Sequence, residues 1–239
     1  MKLKILFLLI FAQLSIFYSH AQRIKLEKLN DTVFIHTSYG KLSNGSWFPA
    51  NGLVINTTQG IILIDTPWND KLTTQLIKKL YKLTKHKVNF CIITHAHEDR
   101  MGGINTLKKK EIAVFSTQLT SNQAAEKGYT LPDHIISTLP FDTLGIEVFY
   151  PGKGHTVDNI VVYLKKLNIL FGGCFIKALE YTDLGFVQEA YLDEWLTSLS
   201  ILSSRYPSPS IVIPGHGNKG TTELITHTLQ LLEKTKTKK

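Results

Sequence analysis

Residues 95–103 read His-Ala-His-Glu-Asp-Arg-Met-Gly-Gly and follow directly on the apolar run Phe90-Cys91-Ile92-Ile93-Thr94. This juncture constrains the chain more than any other stretch. It places three potential metal ligands, His95, His97 and Asp99, at alternate positions where a strand ends. Imidazole nitrogens and a carboxylate at this spacing suit a divalent ion, zinc foremost. The Gly102-Gly103 pair then lets the backbone turn sharply away. Such a grouping points to hydrolytic metal chemistry.

The 239 residues suffice for one large domain or two small ones, and 43% hydrophobic with 19% charged residues is a globular composition. The first 21 residues stand apart. Lys2 and Lys4 precede the apolar run Ile5 to Phe17, and Ser19-His20-Ala21 offers small residues where a signal peptidase cuts. A secretory signal peptide spanning residues 1–21 is expected, with cleavage near Ala21–Gln22 and a periplasmic product. The apolar run is short of the ~20 residues that span a bilayer. Residues 22–239 are then expected to form a single domain, with no membrane contact after cleavage. Losing Lys2 and Lys4 takes the net charge from +8 to +6. The remaining lysines read as solvated helix faces and not as a nucleic-acid patch, although a basic protein still attracts a small anionic substrate. Nothing marks an assembly surface, so a monomer is expected.

Period-two and period-3.6 patterns alternate along the chain. Ile24–Leu29 and Thr32–Thr37 read as strands. Ser38–Pro49 reads as a polar loop carrying Trp47 and Phe48. Gly52–Asn56 and Ile61–Asp65 read as a hairpin. Leu72, Leu76, Ile77, Leu80 and Leu83 share one helical face over Asp70–Thr84. Val88–Thr94 and Ile112–Ser116 follow as strands, with a short helix over Met101–Lys110 between them and another over Leu119–Lys127. Strands are expected around Ile146–Tyr150, Ile160–Leu164, Ile169–Phe171 and Ile211–Ile213. Two further helices are marked by Leu192, Trp195, Leu196, Leu199 and Leu202, and by Thr221–Lys234. No linker separates the halves. The pattern implies an α/β domain of two packed sheets with helices outside.

Of nine histidines, four sit where strands meet glycine-rich loops: His95, His97, His155 within Gly154-His155-Thr156, and His216 within Gly215-His216-Gly217. Loops at strand ends are where a rigid scaffold displays functional side chains. His36, His86, His134 and His227 lie in ordinary contexts and read as packing or surface residues. Cys91 reads as a buried thiol within a strand. Cys174 follows Gly172-Gly173 at a strand end, and with Asp99 it completes six potential ligands. Six are enough for two metals with open positions, which catalytic zinc requires.

With these motifs in order, the chain resembles the metallo-β-lactamases, specifically subclass B1. The resemblance rests on Leu63-Ile64-Asp65-Thr66-Pro67-Trp68, residues 94–103, Gly154-His155-Thr156-Val157-Asp158-Asn159, Gly172-Gly173-Cys174-Phe175-Ile176-Lys177 and Pro214-Gly215-His216-Gly217. It implies the αββα four-layer sandwich. It also implies two zinc ions, one held by His95, His97 and His155 and the other by Asp99, Cys174 and His216. The implied reaction is hydrolysis of the β-lactam amide of penicillins, cephalosporins and carbapenems by a zinc-bound hydroxide, with Asp99 orienting the nucleophile. Lys177 would anchor the substrate carboxylate. Trp47, Phe48 and Trp68 would contact the substrate, the first two from a mobile flap, and Asp65 and Arg100 would support the ligand loops. Thioester and lactone hydrolases of the same fold usually carry His directly after the Asp. Here that position is Arg100, and Cys174 supplies the missing ligand, so a free thiolate is expected in place of a disulfide. One departure stands out. Many relatives have Leu-Gly-Asn after the cysteine strand, whereas this chain has Leu184-Gly185-Phe186, and phenylalanine donates no hydrogen bond.

Overall fold

A computed structural model of the chain describes residues 24–136 and 145–237, and the segment expected to be a signal peptide lies outside them. Seven strands form the first sheet: β1 (Lys25–Lys28), β2 (Val33–Lys41), β3 (Trp47–Thr57), β4 (Gly60–Ile64), β5 (Val88–Ile92), β6 (Ala113–Ser116) and β7 (His134–Ile135), in that spatial order. The first four pair antiparallel, and β4 to β7 pair parallel. The second sheet has four strands in the order β11-β10-β9-β8, with β8 at Ile146–Phe149, β9 at Val161–Leu164, β10 at Ile169–Gly173 and β11 at Ile211–Pro214. The helices are α1 (Asp70–Thr84), α2 (Glu98–Met101), α3 (Ile104–Lys109), α4 (Gln118–Glu126), α5 (Leu192–Arg205) and α6 (Glu223–Lys236).

Strand alternation builds four layers. In β4, Ile62 and Ile64 face the second sheet, where they meet Val162, Ile169, Phe171 and Ile213. Ile61 and Leu63 face the other way, towards Leu72, Leu76 and Leu80 of α1 and Leu107 of α3. On the far side of the second sheet, Val161, Leu170 and Val212 pack on Trp195, Leu199 and Leu202 of α5 and on Leu224 and Leu232 of α6. The expected αββα sandwich is therefore present, with the two sheets face to face at its centre.

Local chemistry accounts for the helix that supports the first sheet. Asn69 accepts a hydrogen bond from the Leu72 amide at 3.0 Å and caps α1, and Asp70 places a negative charge in the first turn. Its C-terminus closes on Lys85 in the left-handed region.

The polar stretch 38–49 is not a loop. β2 continues to Lys41, β3 begins at Trp47, and Gly40 pairs with Phe48 across the hairpin. The reason is a small-residue alternation that hydropathy does not register. Ser38 and Gly40 are buried on one face, and the Trp68 ring lies against Gly40. A Cβ at Gly40 would overlap that ring. The Trp68 amide also reaches Ser38 Oγ, at 3.3 Å. Trp47 and Phe48 thus stand on a strand. The two-residue β7, too short to show a pattern, was not expected.

Leu76 is fully buried between α1 and the first sheet. Leu76→Ala should cost about 2–5 kcal/mol of unfolding free energy, read from urea midpoints. A loss below about 1 kcal/mol would show that this layer is loosely packed.

Candidate metal centre

The six expected ligands converge as two groups of three, one of His95, His97 and His155, the other of Asp99, Cys174 and His216. β5 leads into His95 and His97. Asp99 lies in the single turn of α2, Cys174 follows β10, and His216 follows β11. His97 Nδ1 lies 3.1 Å from His95 Nε2 and 3.3 Å from His155 Nε2. The three rings stand nearly perpendicular to one another, at 74°, 85° and 84°. Two nitrogens bound to one tetrahedral zinc stand about 3.3 Å apart, so this trio fits the ion. In the second group, His216 Nε2 lies 3.2 Å from Cys174 Sγ and 3.3 Å from Asp99 Oδ2. Both cysteines are free.

Neighbours set the tautomers. His216 Nδ1 lies 2.6 Å from the Pro49 carbonyl, to which it donates, leaving Nε2 bare towards Cys174 and Asp99. His97 Nε2 lies 3.1 Å from Glu189 Oε2, leaving Nδ1 bare towards the other histidines. Burial holds His95 and His155 well below the ordinary histidine range, aided by the nearby His97 and Lys177 respectively. The His95 and His155 rings are therefore neutral, the form that binds metal. Burial pushes the Cys174 thiol up to about 12 in the metal-free protein, Arg100 opposing it. Metal uptake at this group would therefore release a proton.

Arg100, wholly buried, joins the parts. Its guanidinium donates to Asp99 Oδ2 at 2.6 and 3.0 Å, to the Asn51 carbonyl at 2.5 Å and to the Gly215 carbonyl at 2.9 Å. Asp65 Oδ2 lies 3.4 Å away. Burial tends to raise the Asp99 carboxyl, but Arg100 and His216 outweigh it and hold it well below the usual carboxylate range. Asp65 sits at the end of β4 with a positive φ of 62°. Its carboxylate accepts from the Thr94 amide and hydroxyl at 2.8 and 2.9 Å, and Thr94 Oγ1 lies 3.2 Å from His95 Nδ1. Asp65 and Arg100 thus contact the segments that carry His95, Asp99 and His216.

Both groups border a groove of about 550 Å³ whose walls include Phe48, Trp68, Lys177, Tyr181 and Phe186. Phe48 stacks tilted on His216 with centroids 4.7 Å apart. Lys177 is 7% exposed, and no carboxylate lies within ion-pair distance of it among the described residues. Its ammonium lies 5.4 Å from the Trp195 ring centroid. Trp47 is not among the groove residues and is 40% exposed. The alternation of β3 turns it away from the face that carries Phe48.

Three further supporting residues are not singled out by the sequence patterns above. Asn51 donates to the Pro214 and Gly217 carbonyls at 3.1 and 2.8 Å and so clamps the His216 loop. Asp158 accepts from the Ala96 amide at 2.9 Å. Glu189 receives Lys127 Nζ at 2.5 Å as well as His97. Only Asp158, inside the His155 motif, carried a local signal. The other histidines among the described residues join neither group. His86 bonds Asn56, His134 stacks on Phe115, His227 reaches the Tyr181 carbonyl and His36 reaches that of Asp65.

Two outcomes follow from these contacts. Arg100→Met leaves the buried Asp65 and Asp99 charges without their partner and should cost about 3–5 kcal/mol, measured by denaturant unfolding of the metal-free protein. Equal stability would show that the network contributes nothing. His36 is held at about 4 by burial, against an ordinary 6.5. A depressed base favours folding above 6.5 and loses that contribution as pH falls towards 4. The stability of the parent relative to His36→Gln should therefore fall by up to about 3 kcal/mol between pH 6.5 and 4. A pH-independent difference would sink this assignment.

No family model matches the chain. The metallo-beta-lactamase type 2 of Bacillus cereus is 46% identical over 213 residues, covering 88% of this chain and 83% of that one. The metallo-beta-lactamase type 2 of Bacteroides fragilis is 35% identical over 212 residues, covering 87% of this chain and 85% of that one. Among solved structures, the metallo-beta-lactamase from Pontibacter korlensis superposes with a TM-score of 0.84 at 38% identity, covering 88% of this chain and 99% of that one. Identity at this level over nearly the whole described chain, together with the same four-layer fold and this set of donor side chains, means that the chain belongs to the metallo-β-lactamase family.

Proposed function

We propose that this protein is an exported, zinc-dependent hydrolase of the β-lactam amide bond, acting on penicillins, cephalosporins and carbapenems with two zinc ions. The observation that carries the reading is the pair of three-residue donor groups at one groove, beside a buried ammonium that has no carboxylate partner among the described residues. His95, His97 and His155 would hold one ion and Asp99, Cys174 and His216 the other. Their spacing and the neutral His95 and His155 imidazoles fit zinc. When bound, zinc supplies Lewis acidity and a water-derived nucleophile at neutral pH.

The chain's own residues do the rest. Lys177 brings a desolvated positive charge to the groove and would pair with the carboxylate that β-lactams carry next to the ring nitrogen. Asp99, held ionised by Arg100 at the junction of the two groups, would orient the attacking water and accept a proton from it. Phe48 and Trp68 line the groove with apolar surface that excludes water around the ring. Phe186 offers no donor towards the oxyanion, so stabilising that charge would rest on the Lewis acidity that zinc supplies when bound. Export rests on Lys2, Lys4 and the apolar run to Phe17. Protein recovered from the periplasm would begin near Gln22.

Purified zinc-loaded protein should hydrolyse a penicillin, a cephalosporin and a carbapenem, lose at least ~100-fold in rate with a chelator, and regain it on adding zinc. Absence of turnover with all three would overturn the reading. Cys174→Ser should lower the zinc content measured by elemental analysis from two per chain towards one. Two zincs retained with full activity would show that Cys174 is not a ligand.

A further inference from the structure

One groove residue has no part in the reaction outlined above. Phe186 lies in the irregular segment between β10 and α5 and is 50% exposed. Its ring stands edge-on to His97, with centroids 5.6 Å apart and planes at 86°. The segment is tethered on both sides of it. Leu184 is buried in the core beneath α5 and α6, and Glu189 is bonded to His97 and Lys127. Gly185 has a φ of +68°, and its amide donates to Asp183 Oδ1 at 2.8 Å. This turn lifts the next side chain out of the core. Phe186 is thus an apolar ring presented into the groove from a fixed base.

Its counterpart borders the other donor group. Phe48 stacks on His216 and also approaches Tyr181, at 6.0 Å between centroids. One phenylalanine therefore contacts a histidine of each group, and both line the same groove. Phe186 contributes no hydrogen bond, so it can act on a substrate only by covering apolar surface and by excluding volume. A half-exposed aromatic ring fixed beside the reacting centre favours ligands that bring apolar surface to it.

We propose that Phe186 is a specificity-determining residue, an apolar platform beside His97 that favours β-lactams whose side chain ends in an aromatic or bulky apolar group over those with a small polar one. The proposal rests on the β-lactam hydrolase reading. Contact with a substituent remote from the scissile bond is made alike in the ground and transition states, so its loss raises KM more than it lowers kcat.

The test compares a penicillin with a benzyl side chain and a carbapenem with a hydroxyethyl side chain, on zinc-loaded parent, Phe186→Ala, Phe186→Asn and Phe186→Leu proteins. The ratio of kcat/KM for the benzyl substrate to that for the carbapenem should fall on the order of tenfold in the Ala and Asn variants. The fall should come through KM, and Leu should retain most of the preference. Calorimetric affinity for the hydrolysed benzyl product should weaken in parallel in the same two variants. An unchanged ratio in active variants, or equal losses for both substrates, overturns the platform and leaves the hydrolase reading standing. A parent protein that turns over neither substrate overturns both.

Discussion

The buried guanidinium of Arg100 is the contact on which the site depends. Removing a full positive charge from water costs several kcal/mol, and the cost is tolerable only when the charge is paired and every donor finds an acceptor. Asp99 and Asp65 supply the countercharge, and the carbonyls of Asn51 and Gly215 take further donors. These partners come from four separate parts of the chain. Satisfying one side chain therefore fixes the end of β4, the middle of β3, the α2 turn and the loop after β11 relative to one another.

That arrangement explains how a site rich in polar groups stands against an apolar sandwich. The facing sheets are held by Ile35, Leu53, Ile64, Ile92, Val162 and Phe171, a core that needs no polar help. At one end of that core the strands stop, and the backbone groups they would have paired are taken up by Asp65, Asp158 and Asn51. The donor side chains are then aimed by contacts behind them: Pro49 behind His216, Glu189 behind His97, Thr94 behind His95. Preorganisation of this kind keeps three like donors close together at the expense of local stability, which the core supplies.

Much of this was legible in the chain. Helix α1 announced itself by its cap and its apolar stripe, and it spans Asp70–Thr84 as its spacing implies. The strands on either side of the glycine-rich motifs lie where their apolar runs place them. The hairpin of residues 38–49 was illegible because its buried face is built of Ser38 and Gly40. Trp68, some way along the chain, covers that face, its ring against Gly40 and its amide on Ser38. Trp47 and Phe48 are adjacent and chemically alike, yet only Phe48 borders the groove, since a strand sends neighbours to opposite faces. Asn51, Glu189 and Lys127 carry no motif. Their roles arise from partners 31 to 166 residues away.

The sequence by itself determined the inventory: which side chains can bind a metal, that they stand at strand ends beside glycines, and that two sheets would pack with helices outside. Those properties are local, set by side-chain chemistry and by periodicity over a few residues. Only the tertiary structure decided the distances within each donor group, the nitrogen that His97 and His216 turn towards the other donors, the clamping of the His216 loop by Asn51 and the presentation of Phe186 into the groove. Those properties depend on distances between segments far apart in the chain, and such distances exist only once the core has closed and Arg100 has found all its partners.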